Sequence, residues 1–151
     1  MESFAALNLL QASGAHLRVL LLSSTGFEVP EGARSVLIVY GIPSCDTVRA
    51  ACKWLQGRGI AFDLHDVRKD HLDSRTLEHW LDTLGRDRLI NKSSATWRTL
   101  DISQREQVER GNPVPVIIAN PTLMRRPVLV GEQILHVGFN AQDYERLFAT
   151  S

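Results

Sequence analysis

Hydrophobic and polar positions change rhythm along this chain near residue 36. Residues 1–35 hold little periodicity and close on the polar, turn-rich stretch Pro30-Glu31-Gly32-Ala33-Arg34-Ser35. A weak amphipathic helix fits roughly residues 4–12, although a tail is the better description. From Val36 the pattern is orderly. Val36-Leu37-Ile38-Val39-Tyr40 is continuously apolar, as a buried strand should be. Val48, Ala51, Cys52 and Leu55 recur at helical spacing, with Gly57 or Gly59 as the stop. Residues 60–65 read as a second strand, so the two strands predict a right-handed parallel crossover.

Further along, Asp73 or Ser74 is placed to cap a helix whose inner face is Leu77, Trp80, Leu81 and Leu84, with Gly85 as its end. Residues 86–112 are polar, with short helices expected around 86–90 and 103–110. Pro113 and Pro115 suit the first turn of another short helix through Ile118, closed by Asn120-Pro121. After Pro127, Val128-Leu129-Val130 predicts a strand, Gly131-Glu132 a tight turn, and residues 133–137 the partner strand. Asn140 is a cap for the last helix, with Phe139 and Tyr144 spaced as a hydrophobic staple. The order βαβ, helical insertion, ββ, α predicts an α/β thioredoxin-like fold with a mixed sheet over residues 36–149.

Composition narrows the function classes. Of 151 residues, 17 are basic and 17 acidic, so no electrostatic footprint for nucleic acid or a membrane surface is visible. No apolar run approaches the ~20 residues that span a bilayer, and the short run Val19–Leu22 does not make a convincing signal peptide. Two cysteines, Cys45 and Cys52, are too few for a disulfide scaffold. On one helix they are separated by about 10 Å of rise, beyond the roughly 7 Å a disulfide bridges. Reduced thiols point to the cytoplasm.

The chemistry concentrates in "VYGIPSCDTVRAACKWL", residues 39–55. A lone thiol stands where a strand ends and a helix begins. Unpaired N–H groups at a helix start stabilise a thiolate, which lowers its pKa and supplies nucleophile at neutral pH. Thr47 could donate a hydroxyl to the thiolate or a bound anion. Arg49, one turn on, could add positive charge or be solvated, whereas Asp46 opposes it. The bland reading of Cys45 is packing, which its place at a strand-to-helix turn disfavours; Cys52, on the apolar stripe, is core filler. Absent motifs narrow the field further. Ala51 stands where a Cys-x5-Arg phosphatase loop needs arginine, and Val48 where a Cys-x-x-Cys pair needs its second thiol. His65, His71 and His79 are spaced too loosely for a metal site, so solvated or capping roles are expected.

The blocks "YGIPSCDTVRAACKWL", "DVRKDHLDSRTLEHWL", "LINKSSATWRTL", "NPTLMRRPVLVG" and "HVGFN" resemble, in order and spacing, the ArsC/Spx family, and most of all its YffB-like branch. The resemblance spans about Val36 to Phe148. It implies that Cys45 is the nucleophile, that Arg126 faces it and binds an oxyanion, and that Pro127 is a cis-proline. Asn91 falls where the arsenate reductases carry a second arginine, and "HVGFN" lacks a third. An arsenate-like dianion favours several guanidinium forks, and exchanging one for a neutral amide costs on the order of 1–3 kcal/mol. Lys92 or Arg98 could restore charge, and Trp97 is expected to pack.

What the resemblance implies is a monothiol reductase without a tightly bound cofactor or metal, using glutathione as co-substrate and glutaredoxin as a further thiol partner. Its rivals are an Spx-like regulator that binds RNA polymerase, for which Val48 removes the usual dithiol switch, and arsenate reductase itself. The family's chains usually begin near Val36, so residues 1–35 are expected to be a tail or an artefact of start-codon choice.

Overall fold

The computed structural model describes residues 36–149; the expected helix at 4–12 and the expected tail at 1–35 lie outside them. Among the described residues, four strands form one mixed sheet: β1 (Ile38–Gly41), β2 (Asp63–Asp66), β3 (Val128–Val130) and β4 (Leu135–Val137), in the order β2-β1-β3-β4. The β1–β2 pair is parallel and the other two are antiparallel. Helix α1 (Asp46–Gly57) makes the crossover. Helices α2 (Ser74–Leu84), α3 (Arg86–Leu89), α4 (Ala95–Thr99), α5 (Ile102–Glu109) and α6 (Val114–Ala119) fill the insertion, and α7 (Ala141–Ala149) follows β4. This is the thioredoxin-like arrangement with helices between its halves.

Alternation along the strands divides the core into two layers, because successive side chains point to opposite faces. Val39 and Leu129, paired across β1 and β3, join Val48, Ala51, Leu55 and Tyr144 beneath α1 and α7. Tyr40 and Val128, one step along, face the other way, toward Trp80, Leu77 and Ile117. The Tyr40 ring meets Trp80 edge-on at 4.7 Å. The staple forms as expected: Phe139 packs on Tyr144 at 4.8 Å, and Asn140 Oδ1 accepts the Gln142 N–H at 2.9 Å.

Several sequence expectations shift. The second strand runs over Asp63–Asp66 rather than residues 60–65, because β1 pairs Ile38 with Asp63 and Gly41 with Asp66. The preceding residues close α1 instead, with the Ile60 N–H donating to Leu55 O. Polarity on β2 is inverted: Asp63, His65 and Asp66 are buried while Leu64 is exposed. Of the solvated or capping roles expected for the histidines, burial removes the solvated one at His65, whose ring lies 4.6 Å from that of Tyr40. Helix α4 emerges from what read as a polar cluster, with Ser94 Oγ accepting the Trp97 N–H. The β3–β4 connection takes four residues rather than two, closed by the Gly131 N–H on Ile134 O.

Candidate active site

Cys45 is the N-cap of α1, between the end of β1 and the first helical turn. Its N–H donates to Ile42 O at 2.9 Å, and its carbonyl accepts the Arg49 N–H at 2.9 Å. The loop carrying it is thus folded before any side chain contributes. Cys45 is half-buried and touches both core layers, so the sulfur sits where they meet at the end of the sheet. Burial raises its thiol pKa. The backbone N–H groups of Val48 and Thr47, then the donor and charge of Arg126, outweigh that cost and hold the thiol below its usual range. The neutral side chain makes no conventional cap hydrogen bond, so these N–H groups act as oriented dipoles awaiting a negative charge.

Sheet register delivers Arg126. Tyr40 pairs with Val128, and continuing that antiparallel register brings Arg126 level with Ile42, beside the cysteine loop. The Arg126–Pro127 bond is cis. Arg126 Nη1 donates to Thr122 O at 3.0 Å and to Met124 O at 3.3 Å, which fixes the guanidinium against its own loop. A second device steadies that loop. Thr122 and Thr96 hydroxyls lie 2.6 Å apart, tying the segment before Arg126 to α4. Neither threonine stood out in the sequence, since each acquires its role only by meeting the other.

The remaining expected residues fall at different distances from this centre. Thr47 is exposed and contributes its backbone N–H. Arg49 is exposed and held by Asp46 at 2.8 Å, so its charge is compensated locally. Asn91 is strapped to the Arg126 loop, its N–H donating to Leu123 O at 2.8 Å next to an Ile90–Met124 bridge. Its side-chain oxygen accepts the Ser93 N–H at 3.0 Å, and its amide NH2 is the group that could donate to an anion. Lys92 pairs with Glu109 at 2.9 Å and lies over the Trp97 ring, while Arg98 donates to Ser93 O. Trp97 packs against the core. Cys52 is half-buried, and burial raises its thiol. A cleft of about 650 Å3 on the β4–α7 side is lined by Arg88, His136, Asp143 and Arg146; none of the expected site residues lines it. Among the described residues no cluster suited to a metal ion is found, and no helix is long and apolar enough to cross a membrane.

The thioredoxin-like sheet thus carries a thiol with a lowered pKa at a helix N-terminus, beside an arginine that precedes a cis-proline. The chain belongs to the ArsC family, whose family model matches residues 40–147. It is 40% identical over 114 residues to an uncharacterised protein of Haemophilus influenzae, covering 76% of this chain and all of that one. A solved structure of the YffB protein superposes with a TM-score of 0.69 at 30% identity, covering 74% of this chain and 97% of that one. An ArsC-related protein of Brucella melitensis gives 0.60 at 35% identity over 79% and 98%. The transcriptional regulator Spx 2 of Lactococcus lactis is 28% identical over 72% and 83%. Family membership supports a thiol-based, reductase-like function.

Proposed function

We propose that this protein is a glutathione-dependent monothiol reductase. The Cys45 thiolate attacks the glutathione sulfur of a mixed disulfide, releasing the substrate thiolate and forming a Cys45–glutathione disulfide. A second glutathione thiolate then attacks that adduct, giving oxidised glutathione and regenerating the Cys45 thiolate. Each step breaks one S–S bond and forms another, so the net exchange turns the mixed disulfide and one glutathione thiolate into the free substrate thiolate and oxidised glutathione, with Cys45 returned unchanged.

One observation carries this reading: a thiol whose ionised form is favoured by two amides and Arg126, in a chain whose other cysteine lies seven residues along the same helix. Cys52 stands about 10 Å further along the axis, so the resolving thiol comes from solution. Arg126 holds the anionic part of the substrate. Exposure of the purified protein to oxidised glutathione is expected to add one glutathione by mass, lost in Cys45→Ser. An unmodified Cys45 that alkylates with an ordinary thiol pH profile would refute the reading.

A second reading has the Spx relatives in its favour: a transcriptional regulator that binds RNA polymerase without catalysis. Capture of polymerase by Cys45→Ser and wild type alike, with no glutathione adduct, would select it.

A further inference from the structure

We propose that Arg68 is a second anion-binding group of the Cys45 site, one that receives a carboxylate of the incoming thiol or disulfide. This inference rests on the thiol chemistry proposed above and adds a determinant of which disulfides the site accepts.

The placement of Arg68 is built into the backbone. At the end of β2 the chain folds into a turn over residues 66–70. The Lys69 and Asp70 N–H groups both donate to Asp66 O, at 3.1 and 2.8 Å. Buried Asp66 accepts the Arg68 N–H on Oδ1 at 3.0 Å, and its own N–H donates to Asp70 Oδ2 at 3.1 Å. The Val67 N–H donates to Gly41 O at 3.0 Å, locking this turn to the strand end that leads into the cysteine loop. From this base the Arg68 side chain crosses to Ser44, with Nη2 at 3.5 Å from Oγ.

Three guanidinium groups therefore bracket Ser44 and Cys45, and their engagements differ. Arg126 acts on the sulfur. Arg49 reaches Ser44 O at 3.4 Å, but Asp46 compensates its charge. Arg68 is exposed, and among the described residues it enters no ion pair. Among the described residues its one side-chain hydrogen bond is a long one to a neutral hydroxyl, which a carboxylate displaces at little cost because charge-assisted bonds to guanidinium are the stronger kind. A small ligand whose sulfur meets Cys45 lies across the exposed rim formed by Pro43 and Ser44, with its carboxylate toward Arg68. The favoured ligand is a small carboxylate-bearing thiol or its disulfide.

The test compares anionic with neutral reagents on the full chain. Probes are oxidised glutathione against 2-hydroxyethyl disulfide, and iodoacetate against iodoacetamide, with wild type, Arg68→Gln and Arg68→Lys. In Arg68→Gln the rates with both anionic reagents are expected to fall about fivefold, the scale of one exposed ion pair. Rates with both neutral reagents stay within about twofold, the residual expected of so weak a contact. Arg68→Lys restores part of the loss, since lysine keeps the charge without the fork. Parallel loss with charged and neutral reagents, or no loss, would overturn the assignment. Failure of wild type to take up glutathione sinks the proposed function instead, and the iodoacetate-to-iodoacetamide ratio then decides Arg68 by itself.

Discussion

A Cβ on Gly41 would stand 2.6 Å from Cγ2 of Val48, closer than unbonded carbon atoms approach, and 3.0 Å from its Cγ1. Gly41 ends β1, and Val48 is a fully buried residue in the first turn of α1 whose N–H faces the Cys45 sulfur. The missing side chain is what lets the helix start approach the strand end and bring that N–H to the thiol. Gly41 therefore serves the site through packing, with no demand for an unusual backbone angle.

Gly41→Ala is accordingly expected to cost about 1–3 kcal/mol of stability, the usual scale of overpacking. It is also expected to raise the Cys45 pKa, because Val48 must retreat and take its N–H along. Urea denaturation and pH-dependent alkylation measure the two effects separately. A destabilised protein with an unchanged thiol profile would show that the helix start moves as a unit with Cys45.

The Cys45 thiol itself sets a second prediction. Burial raises its pKa, and the Val48 and Thr47 amides with Arg126 more than reverse that. Alkylation is expected to climb with pH through a midpoint below the usual thiol value of about 8.5, and Arg126→Gln to move that midpoint upward. The fold binds the thiolate better than the unfolded chain does, so this stabilisation is complete above the ordinary thiol pKa. It fades as pH falls through the lowered one. The stability difference between wild type and Cys45→Ser should widen toward alkaline pH; a constant difference would contradict a depressed thiol.

His136, on β4, has its pKa lowered by burial, with Arg88 adding to the effect and Asp143 opposing it. Asp143→Asn is expected to lower it further and Arg88→Gln to raise it, read from imidazole proton shifts in an NMR titration. The fold prefers the neutral ring, so the contribution to stability is complete above the ordinary histidine pKa of about 6.5. It is lost as pH falls through the lowered value. Identical titrations in both variants would remove these two groups as its neighbours.

Tyr144 offers a test of packing apart from the site. Its ring is fully buried among Trp54, Phe139, His136 and Phe148, and its hydroxyl has no hydrogen-bond partner among the described residues. Burial, and then the charge of Cys52, drives its phenol pKa far up. Tyr144→Phe keeps the ring contacts and removes an unsatisfied polar atom, so a gain of about 1 kcal/mol is expected. Tyr144→Ala should cost about 3–5 kcal/mol. A loss in the phenylalanine variant, measured by denaturant titration, would mean the hydroxyl is satisfied in solution.

Legibility followed the range of the interactions. Helix α1, a cap at Asp73 or Ser74, and the Asn140 cap with its Phe139–Tyr144 staple are plain in the sequence because they join residues within about one turn; the structure has each, with Asp73 as the cap. Strand β2 lies at Asp63–Asp66 and not at residues 60–65, because β1, more than 20 residues earlier, dictates which residues pair. The helix at Ala95–Thr99 gives no sequence signal of its own, since its apolar anchor, Trp97, is partly buried against a core formed by other elements.

The candidate site divides in the same way. A thiol at a strand-to-helix junction was visible in the residues alone, the arginine before a proline far downstream came only with the family resemblance, and chain order predicted the fold. The sequence could not say that Arg49 would spend its charge on Asp46, or that Arg68 would cross 24 residues to Ser44. Nor could it show that Thr96 would meet Thr122 behind Arg126. Local backbone geometry is encoded by neighbours in the chain and survives being read one segment at a time. The partners of a charge or a hydroxyl are decided only when the sheet closes and distant loops share one space.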